Sequence, residues 1–261
     1  MNPTLTTAAT GMAAQQTRMD VIANNLANVN TTGFKRSRAH FEDLLYQTMQ
    51  GPSALGGSEG QTTDAIQVGR GTRLAGVQRV DLQGALEQTG RPLDLAIEGD
   101  GYFQVKLPNG QNAYTRDGGL TVSDQGALVT AQGYQLQPPI TIPADAGQVN
   151  ISRTGVVSSV DTTGKATEIG RIELARFANS PGLINLGDNL LGESPTSGTP
   201  VAGFPQDSGM GQIVQGSLEA SNVEVVQEMV DMISAMRAYE LNSKAITSGD
   251  QMAQEANGLI R

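Results

Sequence analysis

The sequence predicts an α+β protein: long N- and C-terminal helices paired as a coiled coil, a connecting segment, and an inserted, mainly antiparallel β domain. Three observations carry that expectation. Apolar residues recur every seven positions near both ends, short β-prone runs separated by glycine-containing turns fill the middle, and a Gly/Ser/Thr/Gln-rich stretch follows the first helix.

The first helix opens at Asn2-Pro3, an N-cap residue followed by proline at the first helical position. Leu5, Met12, Met19 and Leu26 recur at sevens, with Ala9, Gln16 and Ala23 between them and Ala8, Ile22 and Val29 widening the stripe. The pattern spans about 27 residues, or about 40 Å at the α-helical rise. Asn24, Asn25, Asn28 and Asn30 crowd its end, and Gly33 reads as a C-terminal stop. A cap needs one or two asparagines, so two readings stand: helix termination, or hydrogen bonds to a neighbouring chain.

At the other end, Ser221-Asn222-Val223-Glu224 matches the capping box. Val225, Met232, Tyr239, Ile246, Ala253 and Ile260 follow at sevens, and Met229 and Met236 take the alternate seam position. That second seam turns polar at Ser243, Asp250 and Asn257, while Gly249 and Gly258 each weaken the helix by about 1 kcal/mol relative to alanine. The expected packing sets Leu5, Met12, Met19 and Leu26 against Val225, Met229, Met232 and Met236. Neither helix carries enough apolar surface nearby to be buried as a lone hairpin, so the ends need each other, or many copies of themselves.

Between them, residues 102–137 read as a meander whose turns fall at Asn109-Gly110, Asp117-Gly118-Gly119, Asp124-Gln125-Gly126 and Gln132-Gly133. Strand pattern resumes after Pro138-Pro139, with apolar and polar residues alternating from Arg171 to Phe177, and Asn179 to Ser208 reads as loop. Gln50 to Asp64 has linker composition, in contrast to the amphipathic segment just before it.

Composition excludes several functions. Net charge is −9 across 261 residues, without the Lys/Arg clusters that phosphate backbones reward. With no cysteine there is no disulfide framework or thiolate chemistry, and no run approaches the roughly 20 apolar residues that span a bilayer. The N-terminus lacks the basic and apolar regions of a Sec signal peptide, so the chain reads as soluble and without a cleaved address.

Catalysis finds little support. Gly56-Gly57-Ser58-Glu59-Gly60 formally matches a nucleophile elbow but stands in linker composition, and the sole histidine, His40, reads as a surface or packing residue. Asp117, Asp124 and Asp145 belong to turns rather than to a cation loop. No catalytic, cofactor or metal residue is therefore expected.

The segment ANNLANVNTTGFKR, from Ala23 to Arg36, resembles the signature of bacterial flagellar rod and hook axial proteins, and Val223 to Met252 is similar to that family's terminal helix. FEDLLYQTM, LDLAIEGDGYFQV, AYTRDGGLTVSDQGALVTAQGYQLQPPITIP and QGSLEASNV resemble the distal-rod class most. The resemblance implies export through the flagellar type III apparatus and polymerisation into a rigid hollow tube that transmits torque from motor to hook. Implied partners are further copies of the chain, proximal rod proteins, the hook protein, and the P and L rings, with no nucleic acid and no membrane insertion. It also implies that Tyr46 to Asp64 is ordered by neighbouring subunits and stiffens the rod.

The expected division is residues 1–30 and 221–261 as terminal helices, 31–70 and 206–220 as connector with an extended stretch at 46–64, and 71–205 as outer β domain. The expected assembly interface comprises Leu5, Met12, Met19, Ile22, Asn24, Asn25, Leu26, Asn28, Gly33, Phe34, Val225, Met229, Met232, Met236 and Tyr239.

Overall fold

The computed structural model describes residues 3–50, 53–54, 62–63, 65–143, 146–161, 165–207 and 209–258. The elbow-like Gly56-Gly57-Ser58-Glu59-Gly60 motif, Asp145 and Ile260 lie outside the described residues. The chain divides into two compact units, one formed by residues 1–26, 37–78 and 224–261, the other by 27–36 and 79–223.

The first unit contains helices α1 (Pro3–Ala27) and α2 (Val225–Gly258) and six strands: β1 (Ser37–Asp43), β2 (Gln47–Gln50), β3 (Ser53–Ala54), β4 (Thr62–Thr63), β5 (Ile66–Val68) and β6, which runs Thr72–Arg79 and ends one residue into the second unit. α1 stops at Ala27, well before Gly33. α2 starts after Glu224, whose carbonyl accepts the first helical bond from the Glu228 amide at 3.0 Å. Ser221, expected to cap this helix, instead accepts from the Val223 amide in a local turn. Among the described residues in and beside the stretch with linker composition, β2 pairs with β5 and β3 with β4, both antiparallel. Thr and Gln satisfy a ladder through their backbones as well as any residue, so polar composition hid these pairs from a reading based on hydrophobic pattern.

The expected coiled coil is overturned. None of Leu5, Met12, Met19, Leu26 and Met232 is more than partly buried, and Val225, Met229, Met236 and Tyr239 are exposed. Among the described residues the buried positions are Ala8, Ala14, Ile22 and Asn25 on α1 and Glu228, Ala235 and Gly249 on α2, most of them three residues along from the expected seam. The helices run antiparallel and touch through this shifted stripe. Leu5 stands over Gly249, with its Cδ2 3.2 Å from where a Cβ would lie, and Asn242 stands over Gly11 at 3.0 Å. Arg18 meets Asp231 at 3.3 Å, and Asn25 donates to Glu228 at 3.1 Å. Two glycines, Leu5 and polar pairs make these contacts, rather than the expected facing rows of Leu/Met and Val/Met. The α+β class with a helix at each end stands.

The second unit holds β7 (Leu86–Gln88), β8 (Leu95–Glu98), β9 (Tyr102–Lys106), β10 (Asn112–Thr115), β11 (Leu120–Val122), β12 (Leu128–Thr130), β13 (Gln135–Gln137), β14 (Ala146–Ile151), β15 (Val156–Asp161), β16 (Ala166–Arg171), β17 (Leu174–Arg176), β18 (Ile184–Gly187), β19 (Leu190–Gly192), β20 (Val201–Gly203), β21 (Gln212–Gln215) and β22 (Ser217–Glu219). Its nine-stranded sheet runs β11-β12-β13-β9-β10-β19-β18, with β17 also on β9 and β20 on β17. Three of the four expected turns close hairpins, at Gly110, Gly126 and Gly133, each glycine in the left-handed region. The fourth, at Asp117-Gly118-Gly119, does not: β10 pairs with β19 rather than with β11. Gly118 instead lies against the Leu95 backbone and accepts the Leu95 amide, leaving no room for a side chain there. The region expected to be loop, 179–208, supplies β18, β19 and β20.

The core of this unit collects Leu95, Ile97, Phe103, Val105, Leu120, Leu128, Leu136, Val157, Ile172, Leu174 and Ile213, nearly all inaccessible to solvent. β21 pairs with β8 and β22 with β7, so residues more than a hundred positions apart close the same core.

Candidate assembly site

The terminal helices present two kinds of surface. The inward face combines small and apolar residues with the buried polar pair Asn25 and Glu228. Asn25 is buried; its side-chain oxygen accepts the Ser37 amide at 2.8 Å, and its amide donates to the Ser37 carbonyl at 2.9 Å and to Glu228. The outward face of α2 is apolar: Val225, Val226, Met229, Val230, Ile233, Met236, Tyr239 and Leu241 are all exposed, Val226 at 77%. A monomer gains nothing by displaying so many large apolar side chains on one helix, and contiguous patches of this kind mark contact surfaces.

The expected interface residues fall into four groups. Val225, Met229, Met236 and Tyr239 are exposed on α2, and Asn24 is exposed on α1. Leu5, Met12, Met19, Leu26 and Met232 are partly buried in the first unit. Ile22 and Asn25 are buried there, and the hydrogen bonds of Asn25 described above are all within the chain.

Asn28, Gly33 and Phe34 belong to the second unit. Asn28 accepts from the Thr31 hydroxyl, and the Phe34 carbonyl accepts the Asn222 amide. Gly33 has φ of +68°, donates to the Glu219 carbonyl at 2.8 Å, and lies so near the Arg116 backbone that a Cβ would come within 2.8 Å of it.

Sequence reasoning missed the charged cluster beside it. Lys35 donates to Glu219 and, at 2.8 Å, to the Leu82 carbonyl. Arg116 donates to Glu219 at 3.2 Å and to the carbonyls of Ile97 and Gly99, while Glu219 also accepts the Gly84 amide at 2.9 Å. All three side chains are buried, and Glu219 is inaccessible. Burial pushes the Lys35 ammonium below its usual pKa, opposed by Glu219. The available signal was slight: Leu218-Glu219-Ala220 sets one charge inside an apolar run, whereas Lys35 is followed by Arg36 and Arg116 by Asp117.

Asn222 completes this corner, accepting the Arg36 amide at 2.7 Å and donating to the carbonyls of Val80 and Leu82. Among the described residues no group of His, Asp and Glu could hold a metal, and no helix is long and apolar enough to cross a membrane. His40 is exposed on β1.

Comparison with known proteins gives the class first. Residues 5–35 match the family model described as flagella basal body rod protein, residues 96–159 the flagellar hook protein FlgE/F/G D1 domain, and residues 214–259 the flagellar basal body rod FlgEFG protein C-terminal. The protein is thus of the flagellar rod and hook class. Within it, the flagellar basal-body rod protein FlgG of Borreliella burgdorferi is 48% identical over 260 residues, covering 98% of each chain. FlgG of Caulobacter vibrioides is 46% identical over 257 residues, also covering 98% of each. FlgF of the same organism is 36% identical over 253 residues and 94% of each chain. The chain belongs to the FlgG family of flagellar basal-body rod proteins.

Proposed function

We propose that this chain is a structural subunit of the distal rod in the flagellar basal body, polymerising into a rigid hollow tube that carries torque from motor to hook. The observation that carries the assembly reading is the exposed apolar face of α2, a surface suited to burial between copies. Family membership over nearly the full chain supports the place of assembly. FlgG of Caulobacter vibrioides is more similar to this chain than FlgF of that organism, which favours the distal over the proximal rod class.

The same reading names proximal rod proteins and the hook protein as axial neighbours, the P and L rings as surrounding partners, and the flagellar type III apparatus as the exporter. It assigns residues 1–30 and 221–261 to the assembly core, 31–70 and 206–220 to the connector, and 71–205 to the outer β part. The polar anchors at Asn25 and Gly33 hold the chain's own fold, and the reading gives the chain a role in packing.

Electron microscopy of the purified protein, concentrated to drive assembly, tests this proposal, with limited proteolysis of dilute and assembled samples alongside. Straight tubes in which α2 becomes protease resistant are expected. A chain that stays monomeric at every concentration would overturn the reading.

A further inference from the structure

The sheet of the second unit ends in two open strands. One path across it runs β18-β19-β10-β9-β17-β20, and every step is antiparallel. β18 and β20 are each paired on one side only, and among the described residues no further backbone hydrogen bond occupies the outer edge of either. Natural sheet edges are ordinarily blunted by charge or proline. These two strands, Ile-Asn-Leu-Gly and Val-Ala-Gly, contain neither. They also expose their apolar side chains: Ile184 at 53%, Leu186 at 52% and Val201 at 60%.

Direction makes the two edges complementary. Six strands that alternate in direction leave β18 and β20 pointing opposite ways. A second copy in the same orientation therefore brings its β18 antiparallel to the β20 of the first, in the pairing geometry that sheets use most. Such a head-to-tail contact joins two different surfaces, and it repeats without closing, as an open helical polymer requires. Charge selects the same place. Each copy carries −9, so a second copy is repelled by most of the surface and is best met where neither partner is charged.

We propose that β18 of one copy adds to β20 of the next, continuing the nine-stranded sheet from subunit to subunit; this rests on the polymer reading above. It supplies a lateral contact in the β unit, separate from the apolar face of α2.

The chain's lack of cysteine gives a clean test. Cysteines are placed pairwise, one at Ile184, Asn185 or Leu186 and one at Val201 or Ala202, and the full-length protein is assembled, oxidised and run without reductant. Strand partners bring Cα atoms to about 4.5–5.5 Å, within disulfide reach. Opposite edges of one sheet lie several strands of about 4.8 Å apart, beyond it.

Tubes whose subunits form a ladder of dimers, trimers and higher multimers are expected, for at least one pair and for neither single cysteine alone. Tubes without a ladder for any pair would overturn the edge pairing and leave the polymer reading standing. Dimers alone, from a single cysteine on β18, would also overturn it in favour of a closed two-fold contact. Absence of tubes and of crosslinks would remove both. In parallel, Leu186→Lys should raise the protein concentration needed for assembly by about tenfold or more, since a charge on a pairing edge opposes strand addition, with the thermal midpoint of the monomer unchanged. Unaltered assembly of Leu186→Lys would count against the proposal.

Discussion

The side chain of Asn25 holds the backbone of Ser37 from both sides, accepting its amide at 2.8 Å and donating to its carbonyl at 2.9 Å. The same carboxamide reaches Glu228 on α2, so one buried residue of α1 fixes the strand that follows and the helix beside it. A side chain of this shape mimics a peptide group, which explains why asparagine rather than a hydrophobic residue occupies this position.

Asn25→Ala should therefore destabilise the first unit by about 1–3 kcal/mol, the cost of leaving buried donors and acceptors unpaired. Urea denaturation gives the size, and amide exchange should show Ser37 losing protection first. Wild-type protection at Ser37 in the variant would show that the clamp is dispensable.

Glu219 answers two buried cations, Lys35 and Arg116. Glu219→Gln keeps the shape and removes the charge. It should cost about 3–5 kcal/mol, because breaking a buried ion cluster leaves charge uncompensated. Adding Lys35→Met to that variant should recover part of the loss, which a double-mutant cycle on denaturation midpoints measures. Strict additivity of the two changes would deny the coupling.

Lys35 also has a pH signature. Burial lowers its pKa below 10.5 in the folded chain, so between the lowered value and 10.5 the unfolded state binds more protons than the folded one. Its contribution to stability accordingly rises with pH through that window. Tyr102, raised above 10.0 by burial, works in the opposite direction above pH 10. As pH rises toward 10.5, the unfolding free energy of the wild type minus that of Lys35→Met should drift upward. A flat difference would mean that Lys35 keeps its ordinary titration.

At Gly33, Ala meets a positive φ and the Arg116 backbone together. Gly33→Ala should lower stability by at least about 1 kcal/mol, the cost of the left-handed conformation alone. Calorimetry of the variant checks it, and an unchanged midpoint would indicate that the turn relaxes freely.

Val226→Asp probes the outward face of α2. As Val226 is an exposed position, monomer stability should stay within about 0.5 kcal/mol of wild type, while assembly should weaken strongly. Normal tubes from this variant would place the helical contact elsewhere.

Much of this protein was legible in residue order alone. Pro3 and the heptad-spaced residues marked α1, the run from Val225 marked α2, and Gly110, Gly126 and Gly133 marked three hairpins, because helical and strand periods and left-handed turns are local properties. The signature around Asn24 to Arg36 carried the family. Other features were not local. The strands at Ile184, Leu190 and Val201 escaped notice because each is only three or four residues long, and what makes them strands is a partner supplied from elsewhere in the chain. The pairing of β2 with β5 and of β3 with β4 escaped because backbone pairing leaves no hydrophobic trace.

Periodicity identified which residues are helical but not which helical face turns inward. A seven-residue repeat at Leu5 and Val225 is shared by every position displaced along it, so the stripe through Ala8, Glu228 and Ala235 has the same period. Tertiary structure chose a mixed set of contacts, in which Gly11 admits the side chain of Asn242, Gly249 that of Leu5, and Asn25 finds Glu228. It likewise brought Lys35, Arg116 and Glu219 together across 184 positions of chain. By itself the sequence determined the two helices, three of the hairpins and the family. Their packing faces, the closure of the β unit and its buried charges were decided only by the fold, because a buried polar group is stable only where distant residues supply its partners.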